Sequence, residues 1–127
     1  MQDSRPVDHR QLLRLMAAGR IAVGAALTVA PGVSGRAWIG AAATDPPVKV
    51  MTRAMGIRDL ALGLGTLRAI EDGQPLRPWA VLGAMSDAVD AAATLLALRR
   101  LGPGALPVLA TATVAAVAGV ASLEHLD

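Results

Sequence analysis

Apolar stretches of about 19 to 24 residues alternate along the chain with short polar breaks rich in Gly and Pro, a rhythm that predicts helices near bilayer-spanning length. Four are expected: about Asp8 to Ala30, ended by "PGVSG"; about Pro47 to Ile70, ended by "EDGQPLRP"; about Pro78 to Arg100, ended by "LGPG"; and about Ala105 to Leu123. The last carries no charge at its centre and reads at once as a membrane helix. The other three hold charges near their midpoints and are expected to fail a strict hydropathy test, yet they are far too apolar for ordinary surface helices. The expected fold class is all-α: one four-transmembrane-helix bundle over residues 1–127 with a small, polar and charged interior.

Projected at 3.6 residues per turn, the second helix places Thr52, Gly56, Asp59, Gly63 and Thr66 on one narrow face, with Leu60, Leu64 and Leu67 on another. In a membrane the small and polar face meets protein and the leucines meet lipid. The third helix repeats the device with Gly83, Asp87, Asp90, Thr94 and Ala97. The fourth offers Thr111, Ala115, Ala118 and Ser122, and the first Ala17, Arg20, Gly24 and Leu27. Gly56, Gly63, Gly83, Thr52, Thr66 and Thr94 are therefore the expected helix-packing residues.

Near the midpoints lie three positive charges, Arg20, Arg53 and Arg58, and three negative ones, Asp59, Asp87 and Asp90. A charge at the bilayer centre costs about 2.5 to 3.5 kcal/mol on insertion scales, so the six are expected to pair. The expected polar network is thus Arg20, Arg53, Arg58 and Asp59 with the two acids of the third helix. In "DAVD", Asp87 and Asp90 share a face about 4.5 Å apart along the axis, the arrangement of a pair that shares a proton and serves as general acid and base or as a relay. The plainer reading is that each acid is satisfied by its own Arg and the network only locks the helices. Asp59 is expected to be structural, held by an Arg of helix 1 or 2, and Asp87 or Asp90 to tolerate neutralisation.

Smaller features fit this frame. Pro47 and Pro78 suit the first helical turn, and Asp45 an N-cap. Trp38 and Trp79 fall at opposite ends, as interfacial aromatics do. "VSGRAWIGAAATD" reads as a short amphipathic surface piece or an ordinary loop. Arg5, Arg10, Arg14, Arg68 and Arg77 outnumber Arg36, Lys49, Arg99 and Arg100, a vote of five against four for cytoplasmic termini. The basic residues through Arg20 are too extended for the n-region of a cleaved signal peptide.

Composition narrows the classes. Hydrophobic residues make up 54% and mean hydropathy is +0.49, with no Phe, Tyr or Cys and only two Trp, so a water-soluble core would lack the aromatics that usually fill it. An Ala/Gly-rich soluble bundle is the alternative. Without Cys there are no disulfides, thiol nucleophiles or thiolate metal sites. The bases are scattered and not interleaved with aromatics, which argues against nucleic acid as a partner. His9 and His125 lie far from the acids, so no metal site is expected, and nothing implies a cofactor. Met51, Met55 and Met85 read as filler.

"RAMGIRDLALG", "DAVD" and "APG…RAWIG" together resemble a group of small four-helix integral membrane proteins, common in actinobacteria, known as a domain of unknown function. The resemblance covers about Arg20 to Arg100; it implies four spans and supplies no reaction. Small four-span multidrug transporters place an acidic residue in helix 1, where this chain has Arg14 and Arg20. Three functions remain. The first is a membrane binding or accessory protein whose polar interior receives a lipophilic small molecule or a partner helix. The second is a membrane enzyme using Asp87 and Asp90 as catalytic acids and bases on a lipid-soluble substrate. The third is a proton-coupled transporter of small solutes. The expected partners are membrane lipid and a second copy of the chain, with the small faces around Ala91, Ala92 and Ala93 suited to that contact.

Overall fold

The computed structural model describes residues 7–126, and among them there is no strand. Four long helices carry the fold: α1 (His9–Val29), α4 (Pro46–Glu71), α5 (Arg77–Ala97) and α6 (Ala105–Ser122). Between α1 and α4 the chain makes two single-turn helices, α2 (Pro31–Ser34) and α3 (Arg36–Ile39), followed by a 3-10 turn over Gly40–Thr44. The expected surface piece is therefore helical. Gly40 makes the bend inside it at φ +82°, a left-handed backbone that side chains disfavour.

The ends of the helices follow local chemistry. Asp8 caps α1, its carboxylate accepting from the backbone N–H of Arg10 and Gln11. Asp45 occupies the N-cap position of α4 without a side-chain capping bond, and the two residues after it, Pro46 and Pro47, offer no N–H. Arg77 donates to the carbonyl of Leu123 and so satisfies the end of α6. The rings of His9 and His125 stack at 4.0 Å, holding the start of α1 against the end of the helical region.

Packing divides the long helices into two pairs, α1 along α4 and α5 along α6, whereas α4 and α5 meet over much less of their length. Within a pair the contact is made by small residues. A Cβ on Gly24 would lie 2.6 Å from the Gly56 carbonyl oxygen, one on Gly56 2.8 Å from the Gly24 carbonyl oxygen, and one on Gly63 2.8 Å from the Ala17 carbonyl oxygen. The α1 and α4 backbones thus touch where only glycine fits. Between α5 and α6, Gly119 packs against the Ala84 methyl, which a Cβ there would approach to 3.0 Å. In α6 the expected face shifts: Thr111 points outward and bonds its own Pro107 carbonyl, while Gly119 and Ser122 are buried. Leu60, expected to point outward, lies beside Gly24.

The distribution of side chains is inverted relative to a water-soluble domain. Leu76, Thr52, Thr94 and Ser122 are the largest fully buried side chains, and Thr, Asp and Ser stand beside Ala and Gly in the interior. Val23, Ile57, Leu64, Met85, Val89, Leu96, Val114 and Val117 are exposed. One apolar cluster, formed by Leu13, Ala69, Ile70, Leu76, Ala80 and Leu126 with Trp79 against it, closes the end nearest the termini.

Three helical stretches, His9–Val29, Arg77–Arg100 and Ala105–His125, are long and apolar enough to cross a membrane. This corrects the expectation that only the last would qualify. The inner charges, Arg14 and Arg20 in the first and Asp87 and Asp90 in the second, are diluted by the surrounding Ala, Leu and Val, whereas α4, with Lys49, Arg53, Arg58, Asp59 and Arg68, stays outside the group.

The packing yields a paired prediction. Gly56→Ala should destabilise the protein by about 1 to 3 kcal/mol through overpacking against Thr28 and Gly24. Gly19→Ala, on the same pair but with nothing within 4 Å, should be neutral or stabilising by up to about 1 kcal/mol. Thermal melts of both variants followed by circular dichroism check the contrast; equal effects would contradict the close approach.

Candidate functional site

Arg20 stands halfway along α1, Arg58 and Asp59 halfway along α4, and Asp87 and Asp90 halfway along α5, so all five meet at one level. Arg20 Nη2 donates to Asp87 Oδ2 at 2.5 Å and to the Gly83 carbonyl at 3.0 Å, and its Nη1 lies 3.5 Å from Asp59 Oδ1. Arg58 grips Asp90 with both ends of its guanidinium, at 3.0 and 2.6 Å, and reaches Asp59 Oδ1 at 3.2 Å. The result is a continuous chain of alternating charge, Asp87–Arg20–Asp59–Arg58–Asp90, running across the seam between the helix pairs. Bidentate geometry of the Arg58–Asp90 kind is the strong form of the ion pair. The α1 end is sealed, with Arg20 at 12% side-chain exposure, while Arg58 at 33% opens the other end outward.

Most of the residues singled out in the sequence converge here. Gly56, Gly63, Gly83, Thr52, Thr66 and Thr94 are all buried. Thr52 and Thr66 donate to carbonyls of their own helix, at Val48 and Leu62. Thr94 accepts from the indole N–H of Trp38 at 3.0 Å, which ties α3 to α5 and makes Trp38 a tether as well as an end marker. Trp79 lies across Gly65, where a Cβ would collide with its ring. The apolar cluster, the charged chain and the Trp38–Thr94 bond therefore join the two pairs at three successive heights.

Arg53 is not part of the network. It precedes Arg58 by five residues, about 140° around the helix, and so leaves the face that carries Asp59. Its side chain is exposed and donates from Nε to the Thr28 carbonyl at 3.2 Å. The expected balance of three against three becomes two guanidinium groups against three carboxylates. Arg53 also moves to the end of the molecule that holds Arg36, Lys49, Arg99 and Arg100, which removes the vote of five against four; Arg5, on which that vote leaned, lies outside the described residues.

Asp87 and Asp90 do share a face, but each is engaged by a different Arg. Beside Arg20, among Thr66, Trp79 and Gly83, is a cavity of about 20 Å³. That is room for a water molecule and not for an organic substrate. Among the described residues no group of three or more His, Cys, Asp or Glu side chains is placed to hold a metal ion. The sequence reading missed the Gly83 carbonyl as a ligand of Arg20, and also the cations gathered at the α2–α3 end. The angular offset of Arg53 from Asp59 was the available signal for the second.

Comparison with family models, with curated proteins and with solved structures finds no match.

The charge count makes the two kinds of residue unequal. Asp59 makes only the longer contacts, and removing its charge leaves two Arg facing two Asp, each still paired. Asp59→Asn should therefore cost less than about 1 kcal/mol, whereas Arg20→Met leaves Asp87 and the Gly83 carbonyl without their donor and should cost about 3 to 5 kcal/mol. From sequence, Asp59 is expected to be structural and Asp87 or Asp90 to tolerate neutralisation; the contact lengths make Asp59 the more tolerant acid instead. Denaturation of both variants under identical conditions checks the contrast, and Asp87→Asn beside them tests whether Asp59 is the more tolerant acid.

Proposed function

We propose that the chain is an integral membrane protein of four spans that acts as a binding or accessory subunit, its charged seam open on one side to a partner. The observation that carries this reading is the inversion of the side chains: Thr, Ser, Asp and small residues inside, and Val, Leu, Ile and Met outside. In water such a surface would aggregate; in lipid it is solvated. The α4 helix, too charged to cross alone, is carried by its neighbours. Arg58 and Asp59 are neutralised in the network, and the stretch between Arg53 and Arg68 is about 22 Å, which the long side chains at each end extend by reaching toward the headgroups. In this reading the partner is a lipophilic molecule or membrane helix meeting the exposed edge at Arg58, because the interior cavity has no room for one. The family resemblance carried by "RAMGIRDLALG" belongs to the same proposal.

The excess of one carboxylate over the guanidinium groups supports a second reading, proton-coupled transport, since a proton shared across the chain of charges would balance it. An enzyme using Asp87 and Asp90 has no comparable observation behind it.

The membrane reading predicts that the protein stays with the membrane pellet through alkaline carbonate washing and is released only by detergent. Recovery as a monodisperse species without detergent would contradict it. In proteoliposomes, solute uptake driven by a pH gradient and lost in Asp59→Asn would favour transport over the accessory role.

A further inference from the structure

Charge is distributed unequally between the ends of the molecule. Among the described residues, Arg10, Arg14, Arg68 and Arg77 at the terminal end are matched by Asp8, Glu71, Asp72 and Glu124. The opposite end holds Arg36, Lys49, Arg53, Arg99 and Arg100 against Asp45 alone. Three of those five cations are gathered at one place. Arg36 from α3 and Lys49 and Arg53 from α4 line an open pocket of about 450 Å³ at the turn where α1 gives way to α2, its wall completed by the Ala30–Val33 stretch and Thr44. None of the three has an acidic partner among the described residues. Arg53 spends only its Nε on the Thr28 carbonyl, leaving both terminal nitrogens for a ligand. The Lys49 stem runs over Gly32, where a Cβ would approach to 3.1 Å.

Three unneutralised cations around a concave site of this volume specify an anion of concentrated charge. A carboxylate is satisfied by one Arg, whereas the several oxygens of a phosphate engage several donors at once. From this convergence we propose that the Arg36–Lys49–Arg53 pocket binds a phosphate group. Its source is the headgroup of an anionic phospholipid or a soluble phosphate. The surroundings favour the lipid: Val33 lines the pocket and is exposed, and Val29, Val50 and Met51, exposed as well, lie close to its lining residues in sequence. The choice of lipid as the source rests on the membrane reading; the phosphate chemistry does not.

The test uses the whole chain in mild detergent. Native mass spectrometry counts phosphatidylglycerol and phosphatidylcholine retained per chain, and thermal melting in inorganic phosphate against chloride at equal ionic strength reads the soluble source. Retention of phosphatidylglycerol over phosphatidylcholine, weakened about fivefold by each of Arg36→Gln, Lys49→Gln and Arg53→Gln, is the expected result. Arg99→Gln and Arg100→Gln, at the same end but outside the pocket, should leave it unchanged. Stabilisation by inorganic phosphate that the three pocket variants lose, without lipid preference, would assign the pocket to a soluble phosphate. If neither ligand depends on the three residues, or if Arg99→Gln and Arg100→Gln weaken binding as much, the proposal is overturned. Should the protein prove soluble without detergent, the phosphate melts still read the pocket, so failure of the membrane reading is separable from failure of this one.

Discussion

Two guanidinium groups of the α1–α4 pair hold two carboxylates of α5 across the seam and share a third, Asp59, on their own side, and the middle of the molecule is organised around that ratio. Arg20 and Arg58 are each bonded to an Asp of α5 while both lean on Asp59 of α4. Removing a carboxylate leaves the Arg residues partnered; removing an Arg strands a buried acid. The bases are the keystones, although the acids are more numerous.

Different forces act inside and between the pairs. Inside a pair, Gly24 against Gly56 brings backbones into contact and Gly119 receives the Ala84 methyl, so dispersion and shape hold the helices. Between pairs the backbones are farther apart, and long side chains bridge the gap at its centre. Such a seam is specific about register, because the bidentate Arg58–Asp90 contact tolerates little sliding. The apolar cluster around Leu76 and the Trp38–Thr94 bond fix the two ends of the seam, so the charged chain is enclosed along its length except at the Arg58 edge.

Much of this was legible in the sequence. The positions of the long helices follow from the breaks at Pro, Gly and Asp, and the buried faces of α4 and α5 from the spacing of Thr52, Gly56, Gly63 and Thr66 and of Gly83, Asp87 and Thr94. Periodicity shows which residues share a face but not which helix that face meets, so the pairing of α1 with α4 and of α5 with α6 was not legible. Counting charges near the midpoints put Arg53 in the network because depth was considered without angle. Thr111 and Leu60 went astray similarly: a face of small residues has no sharp boundary when Ala, Gly and Thr surround it on both sides. The pocket of cations escaped notice because α2, α3 and the turn after them bring together residues that no periodic pattern links.

The claim that charge joins the helix pairs is tested most directly by a double-mutant cycle on Arg20 and Asp87. Arg20→Met, Asp87→Asn and the double variant are compared with the parent by reversible denaturation in one detergent. The account predicts that the double variant is less destabilised than the two single losses summed, with a coupling energy of about 1 to 3 kcal/mol. Additive losses, with coupling near zero, would contradict it and leave the seam to packing alone.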